Sequence, residues 1–186
     1  MTTPDITLAT PADRPSVVAT FVAAFESDPA IRYFLPSPDT YESEAATMAA
    51  ALFDPRAARG TVWLANAGAA VAMWDAPTRA RHTPAPATDD AWGRYQSTVH
   101  AALPDFPHWY LGVLATHPTS RGRRLGRAVM AAGLARADAD GLPSYLETSN
   151  PANVEVYRSV GFEVQHHLLV DALPVWIMSR PPATSR

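Results

Sequence analysis

There is no cysteine and no lysine in this chain of 186 residues. Without cysteine there is no disulfide, no thiolate nucleophile and no Cys-based metal site. Without lysine there is no Schiff base, and no P-loop, whose lysine sits on the phosphates. Nor does any stretch approach the roughly 20 apolar residues of a membrane helix. The start, Met1-Thr2-Thr3-Pro4-Asp5, has neither a basic segment nor an apolar run. No secretory signal is expected, and the cytosol is the expected compartment.

What remains suits one domain spanning residues 1–186, with one core. An apolar share of 47% with 18% charged residues excludes wholesale disorder. All 15 basic residues are Arg, against 18 acidic ones, for a net charge of −3. With 35 Ala, that composition points to a GC-rich bacterial genome. Eighteen prolines divide the chain into short elements.

Ile6 to Ala9 reads as a strand, and Thr10-Pro11-Ala12-Asp13 as a capped helix start. Val17, Val18, Phe21, Val22 and Phe25 give that helix an apolar face. Asp28-Pro29 ends it, a Pro-marked loop follows, and a second helix is expected from Thr40 to Phe53. The runs 61–65 and 70–74 flank Asn66-Ala67-Gly68 as a hairpin. Pro77 to Thr88, with the basic run Arg79-Ala80-Arg81-His82, reads as a solvated loop, and Asp89 to Leu103 has helical spacing. The second half alternates: strand Trp109–Ala115, helix Gly126–Asp140 closed by Gly141, strand Ser144–Thr148, helix Asn153–Val160, strands Phe162–Leu169 and Val175–Met178. That order predicts an α/β fold with a mixed sheet (α+β in its antiparallel parts).

Chemistry concentrates in Thr116-His117-Pro118-Thr119-Ser120-Arg121-Gly122-Arg123-Arg124-Leu125-Gly126-Arg127, between a strand and a helix. A turn entering a helix presents unpaired N–H groups and a partial positive charge, which suits a pyrophosphate. Glycine lets backbone approach the ligand, and Arg adds charge at the rim. An ordinary solvated basic loop has the same composition. A second landmark follows, Leu146-Glu147-Thr148-Ser149-Asn150 leading into Tyr157-Arg158-Ser159-Val160-Gly161-Phe162.

Together the two landmarks resemble the GCN5-related N-acetyltransferase (GNAT) superfamily, with its pyrophosphate loop Gln/Arg-x-x-Gly-x-Gly/Ala and its later Tyr-x-x-x-Gly-Phe. Arg121 and Gly126 match the first and last loop positions, and Gly161-Phe162 the closing pair. Arg124 stands where the family usually has Gly, and Thr116 where Val is common. Leu8-Ala9-Thr10, Ala23-Ala24-Phe25, Val71-Ala72-Met73-Trp74 and Leu146-Glu147-Thr148-Ser149 are similar in order and spacing to the puromycin N-acetyltransferase group and its actinobacterial relatives.

The resemblance implies a single GNAT-like acyl-CoA N-acyltransferase domain, a splayed central sheet flanked by helices. It implies acetyl-CoA as co-substrate, a small-molecule amine as acceptor, and no metal. A homodimer is compatible with it, and neither nucleic acid nor membrane is an expected partner. Backbone of Leu114 and Thr116 would hold the acetyl carbonyl and pantetheine arm. Amides of Arg121, Gly122, Arg123, Arg124, Leu125, Gly126 and Arg127 would hold the pyrophosphate, and Asn153 would also contact the cofactor. Transfer would be direct, since no Cys can carry the acetyl group.

The acceptor must be neutral to attack, and a Lys-like amine is neutral in only about one molecule in 2,500 at pH 7. Glu147 is the candidate base, directly or through a water. Its ordinary reading is a carboxylate that caps the next turn. Glu26 and Asp28 are alternatives. Tyr157 is the candidate donor to the leaving thiolate, or else a core Tyr with a satisfied hydroxyl. His117, His166 and His167 lack metal-ligand spacing and read as surface or satisfied histidines. Arg124 in the Gly position leaves a second reading open, a CoA-binding or regulatory module with little transferase activity. The Arg cluster on an acidic protein argues only weakly for nucleic acid.

Overall fold

Residues 3–77 and 88–183 are described by the computed structural model. The run Arg79-Ala80-Arg81-His82 lies outside them. In chain order the elements are β1 (Ile6–Leu8), α1 (Arg14–Phe25), α2 (Pro29–Phe34), α3 (Tyr41–Ala58), β2 (Val62–Ala65) and β3 (Ala70–Asp75). Then come α4 (Ala91–Ala102), β4 (Trp109–Thr116), α5 (Leu125–Ala139), β5 (Ser144–Thr148), α6 (Pro151–Arg158), β6 (Glu163–Val170) and β7 (Leu173–Arg180). Seven strands form one mixed sheet in the order β1-β2-β3-β4-β5-β7-β6. Only β4 and β5 pair in parallel; the other neighbours run antiparallel.

The N-terminal turn forms as its residues predict: Thr10 N and Oγ1 donate to Asp13 Oδ2 at 2.7 and 2.8 Å. The expected loop after Asp28-Pro29 is instead the helix α2. Asp28 accepts from the amides of Ala30 and Ile31, and Pro29 supplies the fixed φ of a first helical turn. A pair that reads as a stop is therefore a start. Helix α3 runs past the expected end at Phe53 and through Pro55 to Ala58. Arg56 anchors those last turns, bonding Leu52 O at 2.8 Å and Asp75 at 2.6 Å. Helices α5 and α6 begin at Leu125 and Pro151, and β7 extends the expected strand at both ends. Asn150 caps α6 by accepting from Ala152 N.

The sheet separates two cores. One joins α5 and α6 to Trp74, Leu111, Leu146 and Phe162; the other joins α1 and α3 to Val71, Met73, Val113 and Ala115. A third cluster holds α4 on β7 through Tyr95, Val99, Val175 and Ile177. In β4 the pairing with β3 slips, with Met73 opposite Val113 but Trp74 opposite Leu111. Gly112 is the extra residue of a bulge, which re-phases the strand. Trp109, Leu111 and Leu114 pack with α5, whereas Val113 and Ala115 pack with α1 and α3. Among the described residues no helix is long and apolar enough to cross a membrane.

Candidate active site

Strands β4 and β5 are bonded only where Trp109, Tyr110 and Leu111 face Ser144, Tyr145 and Leu146. Beyond Leu111 they part, although β4 still pairs with β3 as far as Thr116 and β5 with β7 as far as Thr148. The result is a wedge whose walls are unpaired strand edges. His117 N bonds the carbonyl of Ala69, the residue just before β3. Because successive residues of a strand point their backbone groups to opposite sides, Leu114 and Thr116 turn theirs into the wedge.

At the wide end stands the Arg-rich loop. The first helical bond of α5 runs from Ala128 N to Arg124 O, so the amides of Leu125, Gly126 and Arg127 have no helical partner. Gly122 has φ +78° and Arg124, the residue before the helix, has φ +60°. Arg124 thus occupies the left-handed conformation that glycine favours, at a cost of about 1–2 kcal/mol. The departure from the family's Gly changes the side chain while the backbone keeps the glycine shape. Gly126 has a requirement of its own: a Cβ there would lie 2.8 Å from Thr116 Oγ1. The Arg121 guanidinium donates to Ala24 O, 3.4 Å away at the end of α1, and so ties the loop to that helix. Arg123, Arg124 and Arg127 carry charge around the loop.

Glu147 lies on β5 directly after Leu146, where the wedge begins to open, accepting from the Tyr110 hydroxyl. Tyr95 from α4 is close to Glu147 and Ser149, and the Arg56–Asp75 ion pair lies nearby. Burial pushes the Glu147 carboxyl up to about 8; the Asp75 charge adds to the rise and Arg56 opposes it. Glu147 does not cap the following turn. That is done by Thr148 Oγ1, which accepts from Asn150 N, and by Asn150 itself. Asp28 is also raised, by burial, but its carboxylate is committed to capping α2. Glu26 is exposed at the end of α1.

Tyr157 is buried against Phe162, ring centroids 6.1 Å apart, and no described residue bonds its hydroxyl. Burial, then the charges of Glu147 and Asp28, raise its pKa, so it stays protonated at neutral pH. Asn153 donates from Nδ2 to Thr148 Oγ1 at 3.4 Å, fixing α6 to the end of β5. The histidines are ordinary: His117 bonds Thr119, His167 stacks on Trp176 at 4.7 Å, and His166 is exposed. Among the described residues no group of three His, Asp or Glu could hold a metal ion.

A parted parallel strand pair leading to a glycine-containing helix start is the geometry that the sequence comparisons meet. The profile of the acetyltransferase (GNAT) family matches residues 37–162. The chain belongs to the GNAT acetyltransferase family. It is an N-acetyltransferase, and the family uses acetyl-CoA. Among solved structures it is similar to a Corynebacterium glutamicum protein described as "histone acetyltransferase HPA2 and related acetyltransferase". The two share 28% identity over 99% of each chain, with a TM-score of 0.77. It is also similar in fold to arylalkylamine N-acetyltransferase 2 from Aedes aegypti, at 11% identity over 97% and 99% of the chains (TM-score 0.68). PaiA N-acetyltransferase from Thermoplasma acidophilum, solved with coenzyme A, matches at 11% identity over 97% and 99% (TM-score 0.65).

Within this GNAT chain the sequence reading did not single out Arg56, Asp75, Tyr95 or Tyr110, the groups around Glu147. They come from four elements, and no local spacing connects them. One signal was available: Gly112 interrupts an apolar strand run, as bulge glycines do. A Cβ at Gly112 would meet Arg56 Nη2 at 3.2 Å, so the bare backbone there leaves room for the guanidinium to reach Asp75.

Proposed function

We propose that this N-acetyltransferase moves the acetyl group of acetyl-CoA directly onto the neutral amine of a small molecule, with Glu147 as general base. The observation that carries the reading is a raised carboxyl, near 8, at the point where β4 and β5 part into a wedge that ends on free helix amides. When bound, acetyl-CoA supplies an activated thioester carbonyl. The residues present fit that molecule, since an extended arm can bond the exposed edge of β4 and a pyrophosphate can sit on the start of α5.

Amides of Leu125, Gly126 and Arg127 bind the pyrophosphate, and the loop arginines neutralise it. Backbone N–H groups of Leu114 and Thr116 orient the arm, and one aimed at the thioester oxygen stabilises the charge that builds there. Glu147 takes the proton of the incoming amine. Its proton affinity suits that task, because a base poised near the working pH accepts readily while a usable fraction of it is still ionised. The Tyr157 hydroxyl donates to the departing sulfur. Thiols titrate near 8.5, so a hydrogen bond serves there without full proton transfer.

The likeness to puromycin N-acetyltransferase places puromycin first among acceptors to try, with aminoglycosides and simple alkyl and aryl amines beside it. The test is amine-dependent thiol release from acetyl-CoA, together with the melting shift that acetyl-CoA produces. A melting shift with release driven by at least one amine is expected. A shift without release across the panel would leave a CoA-binding module instead.

A further inference from the structure

A groove of about 490 Å3 runs between α3 and α4. Its lining, among the described residues, includes Met48, Ala51 and Leu52 on one side and Trp92 on the other, with Glu44 as the one charged group. Two chains of contact lead from it to the proposed base. On α3, Glu44, Met48, Leu52 and Arg56 recur every fourth residue and form one row along the helix, and Arg56 bonds both Leu52 O and Asp75 beside Glu147. On the opposite wall, Trp92 meets Phe34 edge-on at 5.0 Å and Phe34 meets Tyr95 at 5.0 Å, with Tyr95 next to Glu147. Both chains of contact end beside the same carboxyl.

We infer, on the reading that Glu147 deprotonates the acceptor, that the acceptor is an amine with an apolar or aromatic body, held in this groove with its nitrogen at the Glu147 end. The span from Glu44 to Leu52 is eight residues, or about 12 Å at the helical rise, room for a bicyclic or long alkyl body. Met48 and Leu52 offer apolar contact, and Trp92 offers a ring face and edge. With Glu44 as the lone charge and no basic side chain in the described lining, the groove attracts a cationic amine from solution and repels carboxylate- or phosphate-bearing amines. Ethanolamine and glutamate lack the body or carry the wrong charge.

The experiment measures binding of tryptamine, by equilibrium dialysis, to protein saturated with unreactive CoA, with ethanolamine and glutamate as comparison. Ala51 is exposed on α3, so Ala51→Trp fills the groove without entering the core. Tryptamine is expected to bind best, and Ala51→Trp to weaken it at least roughly tenfold, the scale on which apolar pockets discriminate. Affinity for acetyl-CoA should be unchanged in that variant. Trp92→Ala, which opens the other wall, should weaken tryptamine as well. Equal binding of the three amines, or tryptamine binding untouched by both variants, would overturn the inference while thiol release still supported the transferase. Wild-type protein that binds no CoA at all would instead overturn the reading on which the inference rests.

Discussion

The first turn of α5 presses against the end of β4 so closely that a Cβ on Gly126 would stand 2.8 Å from Thr116 Oγ1. The glycine that marks the phosphate loop in sequence is therefore also a packing residue between helix and strand. Gly126→Ala should destabilise the protein by about 1–3 kcal/mol, the usual range for overpacking. Thr116 Oγ1 is the one atom within reach of that Cβ, so adding Thr116→Ala should restore most of the loss. Thermal unfolding of the two single variants and the double variant reads this out. Alanine also gains helix propensity, so the contact is contradicted only if adding Thr116→Ala does not raise the stability of Gly126→Ala relative to its effect on wild type.

Arg124 provides the converse case. At φ +60° a non-glycine residue is strained, so Arg124→Gly relieves strain in the folded chain while loosening the unfolded one. The two effects nearly offset, and stability should change by less than about 1 kcal/mol. Acetyl-CoA binding should persist but fall off differently with salt, because one charge near the phosphates is gone. Titrations at two ionic strengths check both parts. Lost binding in a folded Arg124→Gly protein would show that the side chain, and not the shape of the turn, holds the phosphates.

Local features were legible in the sequence. The Thr10–Asp13 cap, the hairpin at Asn66, the strand before the Arg-rich loop and the helix after it each depend on neighbouring residues. Asp28-Pro29 misled because an acidic residue before proline marks a loop and a helix start alike; the short α2 is settled by packing of Ala30, Tyr33 and Phe34 under α4 and β7. The parting of β4 and β5 was expected from the family resemblance, not from spacing. The surroundings of Glu147 could not be read, since residues 56, 75, 95 and 110 reach it through sheet register and a bulge at Gly112. These are long-range facts with no sequence period.

Tyr157 tests the leaving-group role. A hydroxyl that acts on the departing sulfur contributes mainly in the transition state, so Tyr157→Phe should lower kcat by about 100-fold, the lower end for general acid help. The ring keeps its contact with Phe162, so fold and acetyl-CoA affinity should be retained. Steady-state thiol release beside a binding titration separates the two. Wild-type kcat would reduce Tyr157 to packing.

The Arg56–Asp75 pair, 2.6 Å apart, should tune the base from both sides. Arg56 favours the ionised Glu147 and Asp75 disfavours it. Removing the cation with Arg56→Met should move the acid limb of the pH–rate profile upward, and Asp75→Asn should move it downward, each by about one pH unit for a charge at this range. Unshifted limbs in active variants would make the pair structural only.

Burial of Glu147 also has a thermodynamic sign. Its folded pKa, about 8, lies above the model-compound value of 4.5, so the folded state holds its proton more tightly than the unfolded state. The stabilisation this gives is complete below pH 4.5 and is lost as pH rises through 8. Relative to Glu147→Gln, which cannot titrate, wild type should lose stability across that window. Urea unfolding at pH 5 and pH 8.5 measures the difference; parallel behaviour of the two proteins would place an ordinary, solvated carboxylate at Glu147.

The claim that Glu147 is the base is tested most directly by the pH dependence of kcat/KM for an accepted amine, wild type against Glu147→Gln. A base that must lose its proton gives a rate rising with pH and levelling above a midpoint near 8, once the titration of the amine itself is subtracted. Glu147→Gln should lose about 100-fold or more at the plateau, and the part of the profile assigned to the enzyme should flatten. A variant with wild-type rate and an unchanged profile would contradict the account.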